Sequence, residues 1–177
     1  MFYNLEKLSD QAIAFNEELA EDNDPYHLMH LAFYADQANN AKRRDALLNR
    51  ILTDGPNFKN PRTGHSRPEL LLLAKTFATD LRKNGKANFS VENIEKKCVE
   101  KDSVAVCNFH YFLGRYLARC GKSNAAIEQW RKCMKCRSLA VDVRILAGDA
   151  LVASGVKPED YDNPLIPPKH RSPPENQ

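Results

Sequence analysis

Residues 107–138 read CNFHYFLGRYLARCGKSNAAIEQWRKCMKCRS, and this stretch decides the fold. It reads as a helix, a sharp stop at Gly121, and a second helix. Leu113, Gly114, Leu117, Ala126 and Trp130 alternate bulky and small residues at helical spacing. Antiparallel helices need that alternation, because a small residue on one rod admits a large one from the other. A lone helical hairpin cannot bury its apolar face, so such units normally stack.

Some of the pattern recurs further on. At a period of 34 residues Gly114 meets Gly148, Leu117 meets Leu151, Gly121 meets Gly155, and Leu113 meets the smaller Ala147. The second copy then runs into prolines, so it supplies a first helix only, in the place of a cap on the array. The stretch 107–155 resembles the tetratricopeptide repeat, whose pattern is W-x2-L-G-x2-Y, then A-x3-F, then Pro. His110 stands in the Trp place, followed by Leu113 and Gly114. Leu117 stands for the Tyr, Ala126 for the Ala, Trp130 for the Phe, and Ser138 for the Pro.

Outward from this core, the chain reads as helices joined by polar or glycine turns. Leu5–Leu19 is amphipathic, with Leu5, Leu8, Ala12, Phe15 and Leu19 on one side. Asp24 caps a second helix with Pro25 at its first position, where a missing N–H costs nothing. Its apolar stripe is Leu28, Leu31, Ala32, Ala35 and Ala38, and Asn39-Asn40 breaks it. A third helix covers 42–53. The segment 54–67, rich in glycine and proline, is a long loop. Pro68 opens a helix that closes at Asn84-Gly85, and Ser90 caps a short one over 91–99. Helices over 103–120, 123–136 and 139–154 follow. The pairing that keeps one register makes hairpins of 28–52, 69–99 and 106–136. Leu31-Ala32 and Leu73-Ala74 then take the place of Leu113-Gly114.

The expected architecture is all-α: a right-handed α-solenoid of antiparallel hairpins, about eight helices, spanning 1–155 as one array with a looser part over 1–67. Residues 156–177 form a proline-rich tail, extended or disordered, holding six of the ten prolines. Pro164-Leu165-Ile166-Pro167 is the one part of it suited to lie as an extended strip on the array.

Composition narrows the function classes. The 177 residues are 42% hydrophobic and 28% charged, ordinary for a globular chain. A net charge of +3 is too small to point to nucleic acid or membrane. The absence of any apolar run near 18–20 residues argues against a membrane span. The first fifteen residues lack the basic start and apolar centre of a secretion signal. With that, five cysteines, an odd number, fit a reducing compartment, and the expected location is cytoplasmic.

Candidate chemistry is sparse. Cys133-x2-Cys136 is a single pair, whereas structural zinc normally uses two. Cys107 and Cys120 lie near opposite ends of one helix, roughly 20 Å apart, and cannot share an ion. No strand precedes the pair, against a redox motif. The cysteines therefore read as core residues. His27 and His30 have metal-compatible spacing but neither an HExxH pattern nor an evident third ligand, and one of them is expected to face water. His110 reads as packed in the Trp place. There is no GxxxxGK[ST], GxGxxG or GxSxG. No catalytic residue, metal or cofactor is expected, and the chain reads as a non-enzyme.

The resemblance implies a non-catalytic scaffold that binds a peptide or partner protein in a concave groove lined by the first helix of each hairpin. Carried onto this chain, the groove positions are Asn108, Tyr111, Arg115 and Arg119. The matching face of the cap helix holds Asp142, Ile145, Asp149 and Val152. A tyrosine and two arginines four apart suit a partner of acidic character. Pairing of those arginines with Asp142 or Asp149 is the competing expectation. The module also fits a place in a longer chain or complex. An RNA-binding helical repeat, motivated by Lys42-Arg43-Arg44, Arg62 and Arg67, is the alternative function. A metal-dependent enzyme is the third.

Overall fold

The computed structural model describes residues 23–60, 64, 66–82, 103–136 and 141–157. The expected helices over 5–19 and 91–99 and the tail from 158 lie outside the described residues. Every regular element among the described residues is helical: α1 (Pro25–Gln37), α2 (Ala41–Asp54), a 3-10 turn (Gly55–Asn57), α3 (Pro68–Arg82), α4 (Ser103–Arg119), α5 (Ser123–Lys135) and α6 (Val141–Ala153). None of these helices is long and apolar enough to cross a membrane.

Local chemistry sets the boundaries. Asp24 Oδ1 accepts from the Tyr26 N–H at 2.9 Å, with Pro25 opening α1. Asn40 caps α2 through Arg43 N–H at 3.1 Å. Three helices stop in the same way. After α4, Lys122 N–H bonds Leu117 O and Gly121 N–H bonds Ala118 O. After α6, Val156 bonds Leu151 and Gly155 bonds Val152. After α1, Asn40 bonds Ala35 and Asn39 bonds Asp36. In each the reversing residue is left-handed, with φ of 72° at Gly121, 82° at Gly155 and 54° at Asn39. This is the Schellman stop, which satisfies carbonyls that a helix end leaves open. The 34-residue offset seen in the sequence is therefore also a recurrence of backbone geometry.

Packing follows the hairpins: α1 lies on α2, and α4 on α5, with α6 against both α5 and α4. The α4–α5 crossing is close because Gly114 has no side chain. A Cβ built there would sit 2.3 Å from Trp130 Nε1 and 2.5 Å from its Cδ1. Leu113, Leu117, Ala126, Trp130 and Leu151 are buried beside it, and Gly148 is buried at the equivalent place on α6.

One element departs from the expected amphipathic pattern. In α1, six consecutive residues, Leu28 to Phe33, are buried. A helix buried all round has neighbours on every side. Here α2 covers one side while α3 and α4 take the others. Phe33 stacks on Phe77 of α3 at 5.2 Å and on Phe112 of α4 at 6.1 Å, and Phe77 meets Tyr116 of α4 at 5.2 Å. The expected stripe through Ala38 is corrected accordingly, since Ala38 is exposed and Met29, His30 and Phe33 are inside.

Candidate interaction surface

The middle of the strip expected on α4, Tyr111 and Arg115, packs against α1. Asn108 and Tyr111 are 2% and 4% exposed, so neither presents itself to a ligand. This corrects their assignment as open groove positions. At Tyr111 the cause is the packing of α1 rings onto α4: His30 lies 5.7 Å from the Tyr111 ring and 4.7 Å from Phe112.

Arg115 is half-buried among rings. Its guanidinium stands 4.8 Å from the centre of Phe33, 5.1 Å from Tyr34 and 5.9 Å from Tyr111. It donates to Gln37 Oε1 at 3.2 Å and to the Tyr111 hydroxyl at 3.5 Å. Arg119 donates to Asp36 Oδ2 at 2.6 Å and lies 5.1 Å over Phe77. The other oxygen of Asp36 accepts from Arg44 of α2 at 2.7 Å. One carboxylate thus joins α1, α2 and α4 through two partly buried guanidinium groups. Both α4 arginines do have internal partners, but these come from α1 and, for Arg115, also from Tyr111 of α4, not from the aspartates of α6.

The N-terminal end of α1 is fixed in a similar way. Asp24 accepts from Arg67 Nε at 2.8 Å, and that guanidinium lies 5.3 Å over Tyr26. The Tyr26 hydroxyl donates to Asp142 of α6 at 2.6 Å. Burial, then the Asp142 hydrogen bond, pushes the Tyr26 hydroxyl pKa far up. Burial raises Tyr111 as well. His30 is fully enclosed by Tyr26, Tyr34, Tyr111 and Phe112, and its Nδ1 makes no hydrogen bond among the described residues. Desolvation, reinforced by the nearby Arg115 charge and by His27, holds its pKa well below the usual histidine range. Such an imidazole is a packing group at neutral pH. His27 lies 3.9 Å from Asp24 and is partly exposed. His110, partly buried, pairs through Nδ1 with Gln129 Oε1 at 2.8 Å.

The face left open is on α6. At an offset of 34 residues, Asn108, Tyr111 and Arg115 meet Asp142, Ile145 and Asp149. Asn108 and Tyr111 are buried and Arg115 half-buried, whereas Asp142, Ile145 and Asp149 are exposed. Ile145 is 36% and Val152 50% exposed, and they are the large hydrophobic residues most open to solvent among those described. Asp142 and Asp149 share the face, and partial desolvation raises the Asp149 pKa. The expected site residue Asp149 therefore lies on the accessible face, apart from the arginines it was grouped with. A shallow depression between α2 and α3, lined by Arg44, Asp45, Leu48, Asn49, Ala78 and Leu81, is the other concavity of note. Arg44 at its edge is already held by Asp36 and Asp45.

The covering role of α1 was the feature missed in the sequence. Its signal was present: LMHLAFYA over 28–35 is apolar or aromatic on all sides, too broad for one buried stripe. The chain was also compared with known proteins, and it matches no family model, no curated protein and no solved structure.

Proposed function

We propose that this chain is a non-catalytic protein-binding module, a tetratricopeptide-like array of helical hairpins whose working surface is the open face of α6. The observation that carries this reading is the contrast between equivalent helices. On α4, Asn108 and Tyr111 are buried and both arginines are engaged, whereas Ile145, Asp149 and Val152 of α6 remain exposed, with Asp142 beside them accepting from Tyr26. Two apolar side chains alternating with two carboxylates along one helix face suit a helix or extended segment on which leucine-like side chains alternate with lysines or arginines. The partner's charge is thus the reverse of the acidic one expected from Arg115 and Arg119, whose guanidinium groups are engaged by Gln37 and Asp36.

Selection of a displayed peptide library on the purified chain tests this. Enriched peptides should combine apolar and basic residues. Their binding should be lost on Ile145→Asp with Val152→Asp, weaken on Asp149→Lys, and survive Arg115→Ala. Acidic binders that depend on Arg115 or Arg119 would refute it.

RNA binding is the weaker reading. Of the cations that motivated it, Arg44 is held by Asp36 and Asp45, and Arg67 by Asp24. Affinity for mixed oligonucleotides that falls steeply with salt would revive it.

A further inference from the structure

Three of the cysteines converge on the inner end of the α4–α5 hairpin. Cys107, near the start of α4, and Cys133, near the end of α5, are fully buried with their sulfurs 3.5 Å apart. Cys136, the residue that closes α5, lies at the same end of the hairpin, near enough to Cys107 for each thiol to act on the other's ionisation. It is partly exposed, and its thiol also donates to Lys132 O at 3.3 Å. Cys107 is the sulfur in contact with Cys133 and, by its effect on ionisation, the one coupled to Cys136. The Arg144 charge on α6 favours the ionised forms of Cys107 and Cys136, and its Nε makes no hydrogen bond among the described residues. Cys120 is elsewhere, against Asp80.

We propose that Cys136, Cys107 and Cys133 form a thiol–disulfide exchange site, in which Cys136 is the entry thiol and Cys107 resolves, with a low-molecular-weight disulfide as oxidant. The Cys136 thiolate attacks one sulfur of the oxidant RSSR, forming Cys136–S–S–R and releasing one thiolate RS⁻. Cys107 thiolate then attacks Cys136 Sγ, breaking the bond to R and releasing the second RS⁻. The two protons lost by the cysteines end on two RSH, so the sum is dithiol plus RSSR giving a protein disulfide plus two RSH. Closing a sulfur contact of this kind to about 2.05 Å needs side-chain rotation and a small approach of the two helices. Cys133, in contact with Cys107, offers a third position to which the bond can migrate.

The order of events follows from access. Cys107 and Cys133 have no exposed surface, so an oxidant the size of a tripeptide disulfide meets Cys136 first. Rate is limited by ionisation. The hydrogen bond with Cys133 and burial push the Cys107 thiol up to about 12, and the nearby Cys107 thiol with burial raises Cys136 too. Exchange therefore proceeds slowly at neutral pH and accelerates as pH rises, because the thiolate is the nucleophile.

Oxidised glutathione is the probe. The folded full chain is incubated with it at pH 8, quenched with an alkylating agent, and read by intact mass and peptide mapping. A transient glutathione adduct on Cys136 should give way to loss of two hydrogens and a link from Cys107 to Cys136 or Cys133. The melting temperature should rise by on the order of 5–10 °C, since the bond ties two segments of an otherwise open chain. Cys107→Ala should trap the mixed disulfide on Cys136. Cys136→Ser, at a partly exposed site that tolerates the change, should abolish both adduct and link, while Cys120→Ser should leave them intact. Circular dichroism checks that each variant is folded. No cross-link in the parent at equilibrium, a link through Cys120 or Cys98, or a disulfide-joined dimer would overturn the proposal.

Discussion

Gly114→Ala offers the sharpest test of how closely α4 and α5 approach. The added methyl would lie 2.3, 2.5 and 2.9 Å from Nε1, Cδ1 and Cε2 of Trp130. An ordinary carbon contact needs about 3.5–4.0 Å, so the indole must retreat by more than 1 Å. It cannot swing away cheaply, because three ring atoms are met at once and Nε1 donates to Tyr111 O at 3.3 Å. Overpacking of this kind costs about 1–3 kcal/mol, and loss of the indole hydrogen bond adds about 1 kcal/mol. Helix propensity works the other way, favouring Ala over Gly by about 0.8–1 kcal/mol. The steric term wins, leaving a net loss of about 1–3 kcal/mol. For a chain of this size that is a fall of roughly 2–12 °C in melting temperature. Trp130 is the sole tryptophan, so urea unfolding followed by its fluorescence reports the change at the site itself. Gly114→Ala combined with Trp130→Leu should recover part of the loss beyond additivity, since the clash needs both side chains. A Gly114→Ala protein as stable as the parent, with unchanged emission, would refute the close crossing.

The enclosed imidazole of His30 sets a pH dependence. Its folded pKa is depressed, so above the unfolded value of about 6.5 it costs nothing. Below that, the unfolded chain takes a proton that the folded one refuses, and stability falls by up to about 1.4 kcal/mol per pH unit. His30→Leu should flatten this slope in urea titrations between pH 7 and 5, and a slope unchanged by the substitution would remove His30 as its source. Gly121→Ala and Gly155→Ala should each cost about 1 kcal/mol, because both positions have positive φ with open space around them. Similar losses in thermal melts would support equivalent stops, and no loss at either would contradict the left-handed geometry. Asp36→Ala leaves Arg44 and Arg119 facing each other and should destabilise by about 1–2 kcal/mol, an effect that shrinks at high salt. A loss independent of salt would mean that packing, not charge, is the cause.

Much of this molecule was legible in the linear chain because it depends on local rules. Helix boundaries at Asp24-Pro25, Asn39-Asn40, Pro68 and Gly121 follow from capping chemistry that acts within a few residues. The fit of Trp130 to Gly114 was visible because two helices joined by a short turn must be antiparallel neighbours, which makes their facing residues predictable from spacing. The buried residues Leu113, Leu117, Ala126 and Leu151 fall out of the same periodicity.

What only the tertiary structure decided is where helices distant in the chain meet. Nothing local places α1 over α4, so the sequence pattern left Asn108 and Tyr111 free when both are in fact buried, Tyr111 against His30. The same holds for Asp36, which gathers arginines from two other helices, and for Cys107 meeting Cys133, with Cys136 near, across a hairpin. Periodicity tells which side of a helix is apolar, because that is fixed by 3.6 residues per turn. It does not tell which partner covers that side, because the hydrophobic effect has no direction and rewards any cover that excludes water.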